Sequence, residues 1–138
     1  MSCIKEFTGK YRWLSNFWMA PVQIGKLRFP SNEHAYQVAK SLDPADWMDV
    51  LECVSPGAAK RMGQTFKLRP DWDEIKLEVM TQIVAAKFDQ NPLLRDALMA
   101  TKGMELVEGN GWGDRFWGVC RNVGHNHLGR IIMEYRDR

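Results

Sequence analysis

Three times along this chain a residue suited to capping a helix stands directly before a proline: Asp43-Pro44, Ser55-Pro56 and Asn91-Pro92. Asp, Ser and Asn side chains accept hydrogen bonds from the unpaired N–H groups at a helix start, and proline is pre-shaped for the first helical position. Each pair also stops whatever precedes it, because the residue before a proline is driven out of the helical region. The chain is thereby cut into short helices. They read "PADWMDVLECV", "GAAKRMG" with Gly63 as its stop, and "PLLRDALMAT" ended by Gly103.

Other helices follow from capping and period. Ser31 is placed to cap "NEHAYQVAK". The longest helix starts at Asp71, where Asp71 and Glu74 have capping-box spacing and Trp72, Ile75, Val79 and Ile83 recur at helical intervals through about Phe88. The last, "NHLGRIIMEYRDR", gathers Leu128, Ile131, Ile132 and Tyr135 on one side. Before Ser31 the chain reads as strand and turn: "FTGKYRWLSNFW", then a hairpin in "APVQIGKLRFPS" about Gly25-Lys26. "ELVEGNGWGDRFWGV" reads as two short strands forming a hairpin around a glycine-rich loop. The expectation is a helix-rich α+β fold, a single domain over residues 1–138 with a small antiparallel sheet.

Composition excludes little. A net charge of +2 on 138 residues neither implies nor rules out a nucleic-acid partner. Three widely spaced cysteines without a CxxC argue against a disulfide framework or a zinc site. The opening "MSCIKEFTGKYRW" lacks the apolar core of a secretory leader, and no apolar run approaches the roughly 20 residues that span a bilayer. A cytoplasmic protein without membrane association is expected.

Three polar clusters are candidates for chemistry. Glu33, Gln37 and Lys40 are spaced i, i+4, i+7 and share one helix face. Such a stripe is either a solvated face or one wall of a cleft, and periodicity does not choose. In "EGNGWGDRFWGV", glycines alternate with Trp112, Trp117 and Asp114, so that backbone can approach a ligand and flat rings can stack on a base. The bland alternative is an aromatic-rich turn packed on the core, and neither a Walker loop nor GxGxxG is present. Asn126 is placed to cap the last helix, leaving its first N–H groups for an anion. His125 and His127 lack zinc-site spacing, so no metal is expected.

Taken in order, "LSNF" (14–17), "FPSNEHAYQVAK" (29–40), "AAKRMG" (58–63), "KFDQNP" (87–92), "LVEGNGWGDRFWGV" (106–119) and "NHLGRIIM" (126–133) resemble the NADAR superfamily of YbiA-like proteins, which is associated with NAD and ADP-ribose chemistry. The resemblance spans nearly the whole chain, although residues 43–55 carry no motif that aligns. It implies cleavage of N-glycosidic bonds. The substrate would be either a phosphoribosyl-aminopyrimidine intermediate of riboflavin synthesis or ADP-ribosylated guanine, free or within nucleic acid. Carried over by motif, Glu33, Lys40 and Asp114 become catalytic candidates. Trp112, Trp117, Asn126, Gln37, Asn16 and Arg61 become substrate-binding candidates, with Lys60 as a further phosphate contact. No cofactor is implied.

Breaking a C1′–N bond builds positive charge on the ribose, which a fixed carboxylate stabilises. Lys40 offers a second route, a Schiff base at C1′, and that requires a depressed pKa. A module that binds NAD or ADP-ribose without turnover would present the same residues, whereas a protein-interaction adaptor would expose its aromatic surface. The enzymatic reading expects the early helix and the tryptophan-glycine loop to meet in one crevice.

Overall fold

The computed structural model describes residues 2–138. In chain order its elements are β1 (Cys3–Ile4), a 3-10 helix (Gly9–Leu14), β2 (Met19–Ile24), β3 (Leu27–Ser31), α1 (Asn32–Ala39), α2 (Pro44–Leu51), α3 (Pro56–Gly63), α4 (Trp72–Gln90), α5 (Pro92–Met99), β4 (Glu105–Leu106), β5 (Gly109–Asn110), β6 (Val119–Cys120) and α6 (His127–Asp137). The fold is helix-rich α+β. Two compact units divide it: the N-terminal segment through Ser15 joins Pro92–Arg138 in one, and Asn16–Asn91 forms the other.

In the Asn16–Asn91 unit, β2 and β3 form the expected antiparallel hairpin, with Val22 opposite Phe29 and Ile24 opposite Leu27. Gly25 makes the turn at φ 61°, a left-handed conformation that glycine adopts without strain. A bulge between Met19 and Val22 accommodates Pro21, which has no N–H for the ladder. Val22 and Phe29 point inward and are buried with Val38, Val50, Ala59, Trp72, Met80, Ile83, Val84 and Phe88. Three of the expected caps hold: Ser31 accepts from the His34 N–H, Asp43 from Ala45 and Ser55 from Ala58.

Asp71 departs from expectation. It stands before α4 but caps nothing with its side chain. Its carboxylate instead pairs with Arg69, at 2.6 and 3.2 Å. A guanidinium two residues away offers a stronger, charge-assisted partner than a backbone amide. Asn91 closes α4, its side chain donating to the Lys87 carbonyl at 2.8 Å and to that of Pro21 at 3.0 Å.

The other unit is stitched by short parallel pairs. Cys3 and Ile4 pair with Glu105 and Leu106, and Gly109 and Asn110 pair with Val119 and Cys120. The glycine-rich segment is therefore not a hairpin: the chain loops fully round between Asn110 and Val119 and returns in the same direction. Nor is the start of the chain extended throughout, since residues 9–14 wind into the 3-10 helix. That segment buries Leu14 alone and so has no alternating apolar face to commit to a sheet. Leu128, Ile131, Ile132 and Tyr135 are buried along α6 as the period requires. Beside them, Arg136 is 3% exposed and its guanidinium donates to the carbonyls of Thr101 and Met104. No described helix is long and apolar enough to cross a membrane.

A polar helix face and a capped tryptophan loop

The stripe of Glu33, Gln37 and Lys40 is not a solvated face. Asn32, Glu33, His34 and Gln37 are all buried in α1, and Glu33 is only 7% exposed. Lys40, half-buried, follows as the C-cap residue in helical conformation, so the stripe of residues 33, 37 and 40 runs unbroken to the helix end. Its start is anchored from the hairpin side. Ser31 Oγ accepts from the His34 backbone N–H at 3.2 Å and meets His34 Nδ1 at 2.6 Å. His34 Nε2 lies 2.9 Å from the Cys53 carbonyl, which can only accept; Nε2 therefore carries the ring proton and Nδ1 accepts from the serine hydroxyl. Both ring nitrogens are used, and His34 is a structural residue.

Asn16 belongs to this cluster, although the residues are far apart in sequence. Its carbonyl accepts from the Glu33 N–H at 3.1 Å, and its Oδ1 accepts from Asn32 Nδ2 at 3.1 Å. Its own Nδ2 faces the Met80 sulfur at 3.4 Å. Gln37 Nε2 donates to Glu33 Oε1 at 2.8 Å. Two buried acceptors, Asn32 Oδ1 and Gln37 Oε1, have no hydrogen-bond partner. Asn32 was not singled out by the sequence, because an Asn beside an N-cap reads as an ordinary helix-start residue.

Lys40 lies over an aromatic floor, its Nζ 4.9 Å from the Tyr36 ring centroid, and Tyr36 packs edge-on against Trp72. Burial pulls its pKa below the ordinary lysine value; Glu33 opposes that shift and Lys60 adds to it. The net direction is downward, so desolvation and the Lys60 charge together outweigh the attraction of the carboxylate. Lys60 and Arg61 are exposed on α3, and Lys60 Nζ stands 6.0 Å from the Phe17 ring. Asn16, Glu33, Gln37 and Lys40 thus belong to one unit, with Lys60 close enough to act on Lys40.

Asp114 organises its own loop. Its Oδ1 accepts from the backbone N–H groups of Phe116 and Trp117, at 3.1 and 2.9 Å. Asn110 clamps the same residue from the other side, accepting from the Asp114 N–H at 3.0 Å and donating to its carbonyl at 2.8 Å. These side-chain bonds turn the chain between the parallel strands. Gly118 is required for a neighbouring reason: a Cβ there would overlap the carbonyl and carboxylate of Glu108. Trp112 stands at the tip, 65% exposed, while Trp117 is half-buried with its ring edge-on to Phe116 at 4.8 Å. Gly109 lies against the Lys5 carbonyl, whereas a Cβ at Gly111 or Gly113 would meet open space.

The start of α6 is built differently from the capped helix end that the sequence led us to expect. Asn126 adopts a left-handed conformation and makes no side-chain cap. Its Nδ2 donates to the Leu106 carbonyl and its Oδ1 accepts from the Glu108 N–H, both at 2.9 Å. The amides of Asn126, His127 and Leu128 donate to Gly118, Phe116 and Trp117. The loop thus takes the amides of residues 126–128 at this helix start and satisfies them without an anion.

The family profile described as the NADAR domain matches residues 4–138. An N-glycosidase YbiA of Shigella flexneri is 36% identical over 131 residues, covering 93% of this chain and 81% of the relative. A riboflavin biosynthesis protein of Vibrio vulnificus is 37% identical over 128 residues, 91% of this chain but only 35% of that longer protein. The NMR structure of the Escherichia coli protein YbiA superposes with a TM-score of 0.89 at 33% identity, over 99% of this chain and 83% of that one. The capped polar helix, the WGD loop and the NHLG turn, which carried the resemblance, all lie within the matched span, and the chain belongs to the NADAR domain family.

Proposed function

We propose that this protein is an N-glycosidase that hydrolyses the bond between ribose C1′ and the nitrogen of a base or aminopyrimidine. The observation that carries the reading is Lys40: an amine with a lowered pKa, on the same helix face as a buried carboxylate, Glu33, that acts on it electrostatically. Relatives named N-glycosidase and riboflavin biosynthesis protein support the reaction class. The riboflavin relative favours a phosphoribosyl-aminopyrimidine as substrate, with ADP-ribosylated guanine as the second substrate class.

Hydrolysis proceeds in balanced steps. The ribose ring opens, O4′ takes a proton, and C1′ becomes an iminium carbon joined to the base nitrogen. Neutral Lys40 attacks C1′; the base leaves with the proton that Lys40 releases, and a Schiff base remains between C1′ and Nζ. Water adds to C1′, expelling Lys40 and giving the free sugar, which recloses. Glu33 stabilises the cationic carbon and accepts from ribose hydroxyls or the incoming water. Asn16, Lys60 and Arg61, in the same unit as Glu33 and Lys40, are proposed to contact sugar or phosphate.

Wild type, Glu33→Gln and Lys40→Ala, incubated with each substrate class and with borohydride, test this directly. Free base from wild type, a loss of about 10²–10⁴-fold in each variant, and a reduced adduct that disappears in Lys40→Ala are expected. Bound ligand with no product from wild type would instead identify a non-hydrolytic binding module.

A further inference from the structure

Gln37 contributes to the polar face without reaching its surface. The residue is 2% exposed, its Nε2 donates to Glu33 Oε1 at 2.8 Å, and its Oε1 is buried without a partner. That oxygen is turned toward Gly63, the last residue of α3: a Cβ on Gly63 would overlap Gln37 Oε1 and come within 2.6 Å of Cδ. A methionine would fill similar space without stranding a carbonyl oxygen, so filling volume does not account for glutamine here. Its amide is oriented by what lies at each end. Turned the other way, its oxygen would oppose the Glu33 carboxylate, and both acceptors would repel.

We propose that Gly63 and Gln37 act together as positioning residues for Glu33: the bare glycine lets the Gln37 amide lie against α3, and that seat aims its N–H at the carboxylate. A donor held on the ionised form favours that form. Glu33 is thereby kept as an acceptor, suited to a cationic C1′ or to ribose hydroxyls, and the proton for the departing base comes from another group. The catalytic consequence rests on the function proposed above; the contact itself does not. Because the obstructing atoms belong to the end of a flexible side chain, Gly63→Ala displaces Gln37 rather than the helix.

The test is a carbon-13 carboxyl NMR titration of Glu33 in wild type, Gln37→Ala, Gly63→Ala and the double variant, with kcat and KM measured alongside. Expected is an upward move of the Glu33 midpoint by about half a pH unit or more in each single variant. The double variant should match Gln37→Ala alone, because the two changes remove one contact. In turnover, kcat should fall about 10-fold with KM less affected, if Glu33 acts on the transition state. An unmoved Glu33 midpoint in Gly63→Ala, or shifts that add in the double variant, overturns the proposal. A moved midpoint with unchanged kcat upholds the positioning and removes Glu33 from the chemistry. If Gly63→Ala fails to fold, a folded double variant still supports the seat, and a double variant that also fails overturns it.

Discussion

Lys40 sits among three influences that pull its proton in different directions, and their balance predicts its pH behaviour. Burial and the Lys60 charge favour the neutral amine, while Glu33 favours the ammonium. A Schiff-base step needs the neutral form, so kcat/KM should climb with pH through the Lys40 titration. Replacing Lys60 by Gln removes a cation that lowers the Lys40 pKa, and the ascending limb should then move to higher pH. Replacing Glu33 by Gln removes the opposing charge, and the limb of whatever activity remains should move to lower pH. A pH–rate series on the two variants checks both signs. If Lys40 only pairs with phosphate, activity should instead fall as its ammonium is lost.

Among the elements, α1 and α6 begin in different ways. α1 is capped by Ser31, whose hydroxyl also satisfies the buried His34 ring. Ser31→Ala removes the cap and strands an imidazole nitrogen, so a loss of about 2 kcal/mol is expected, read as a lowered denaturation midpoint at unchanged slope. At α6 the corresponding residue, Asn126, joins Leu106 and Glu108 through its side chain and holds φ 55°. Asn126→Ala should lose about 3 kcal/mol, from two stranded backbone groups and a left-handed alanine. Asn126→Gly relieves the backbone but not the stranded groups, and should recover about 1 kcal/mol of that loss. Equal stabilities for the two variants would show that the left-handed conformation adds no strain.

For the whole molecule, the clearest pH signature comes from a group outside the proposed chemistry. Lys87 on α4 is 1% exposed, and burial lowers its pKa from 10.5 to about 7. Between those values the unfolded chain binds a proton that the folded one does not, so stability rises with pH across that window. Below about 7 both states are protonated and the full penalty for burying the charge remains; above 10.5 it vanishes. Thermal melts from pH 7 to 10 should show the rise, and Lys87→Met should flatten it. The slope is the decisive readout, since the substitution also changes the contacts of Lys87.

The punctuation of the helices was legible in the sequence because it is local. Ser31, Asp43 and Ser55 cap by bonding N–H groups two or three residues on, and Gly25 turns the hairpin through its own φ. The buried side of α6 followed from period alone. The candidate site was legible only as a stripe: Glu33, Gln37 and Lys40 share a face by helical geometry, yet the same pattern describes a solvated surface. What turned the stripe inward is packing against residues distant in sequence, with Asn16 bonded to Asn32 and to the Glu33 amide, and Gly63 seating Gln37. Expectations also failed where another partner outcompeted the helix start. Arg69 took the Asp71 carboxylate from the helix it precedes, and the carbonyls of residues 116–118 closed the helix start that an anion was expected to occupy. Local bonds depend on neighbours a few residues apart, which a sequence displays. Burial, orphaned acceptors and lowered lysine pKa values depend on which distant segments exclude water, and only the tertiary structure decides that.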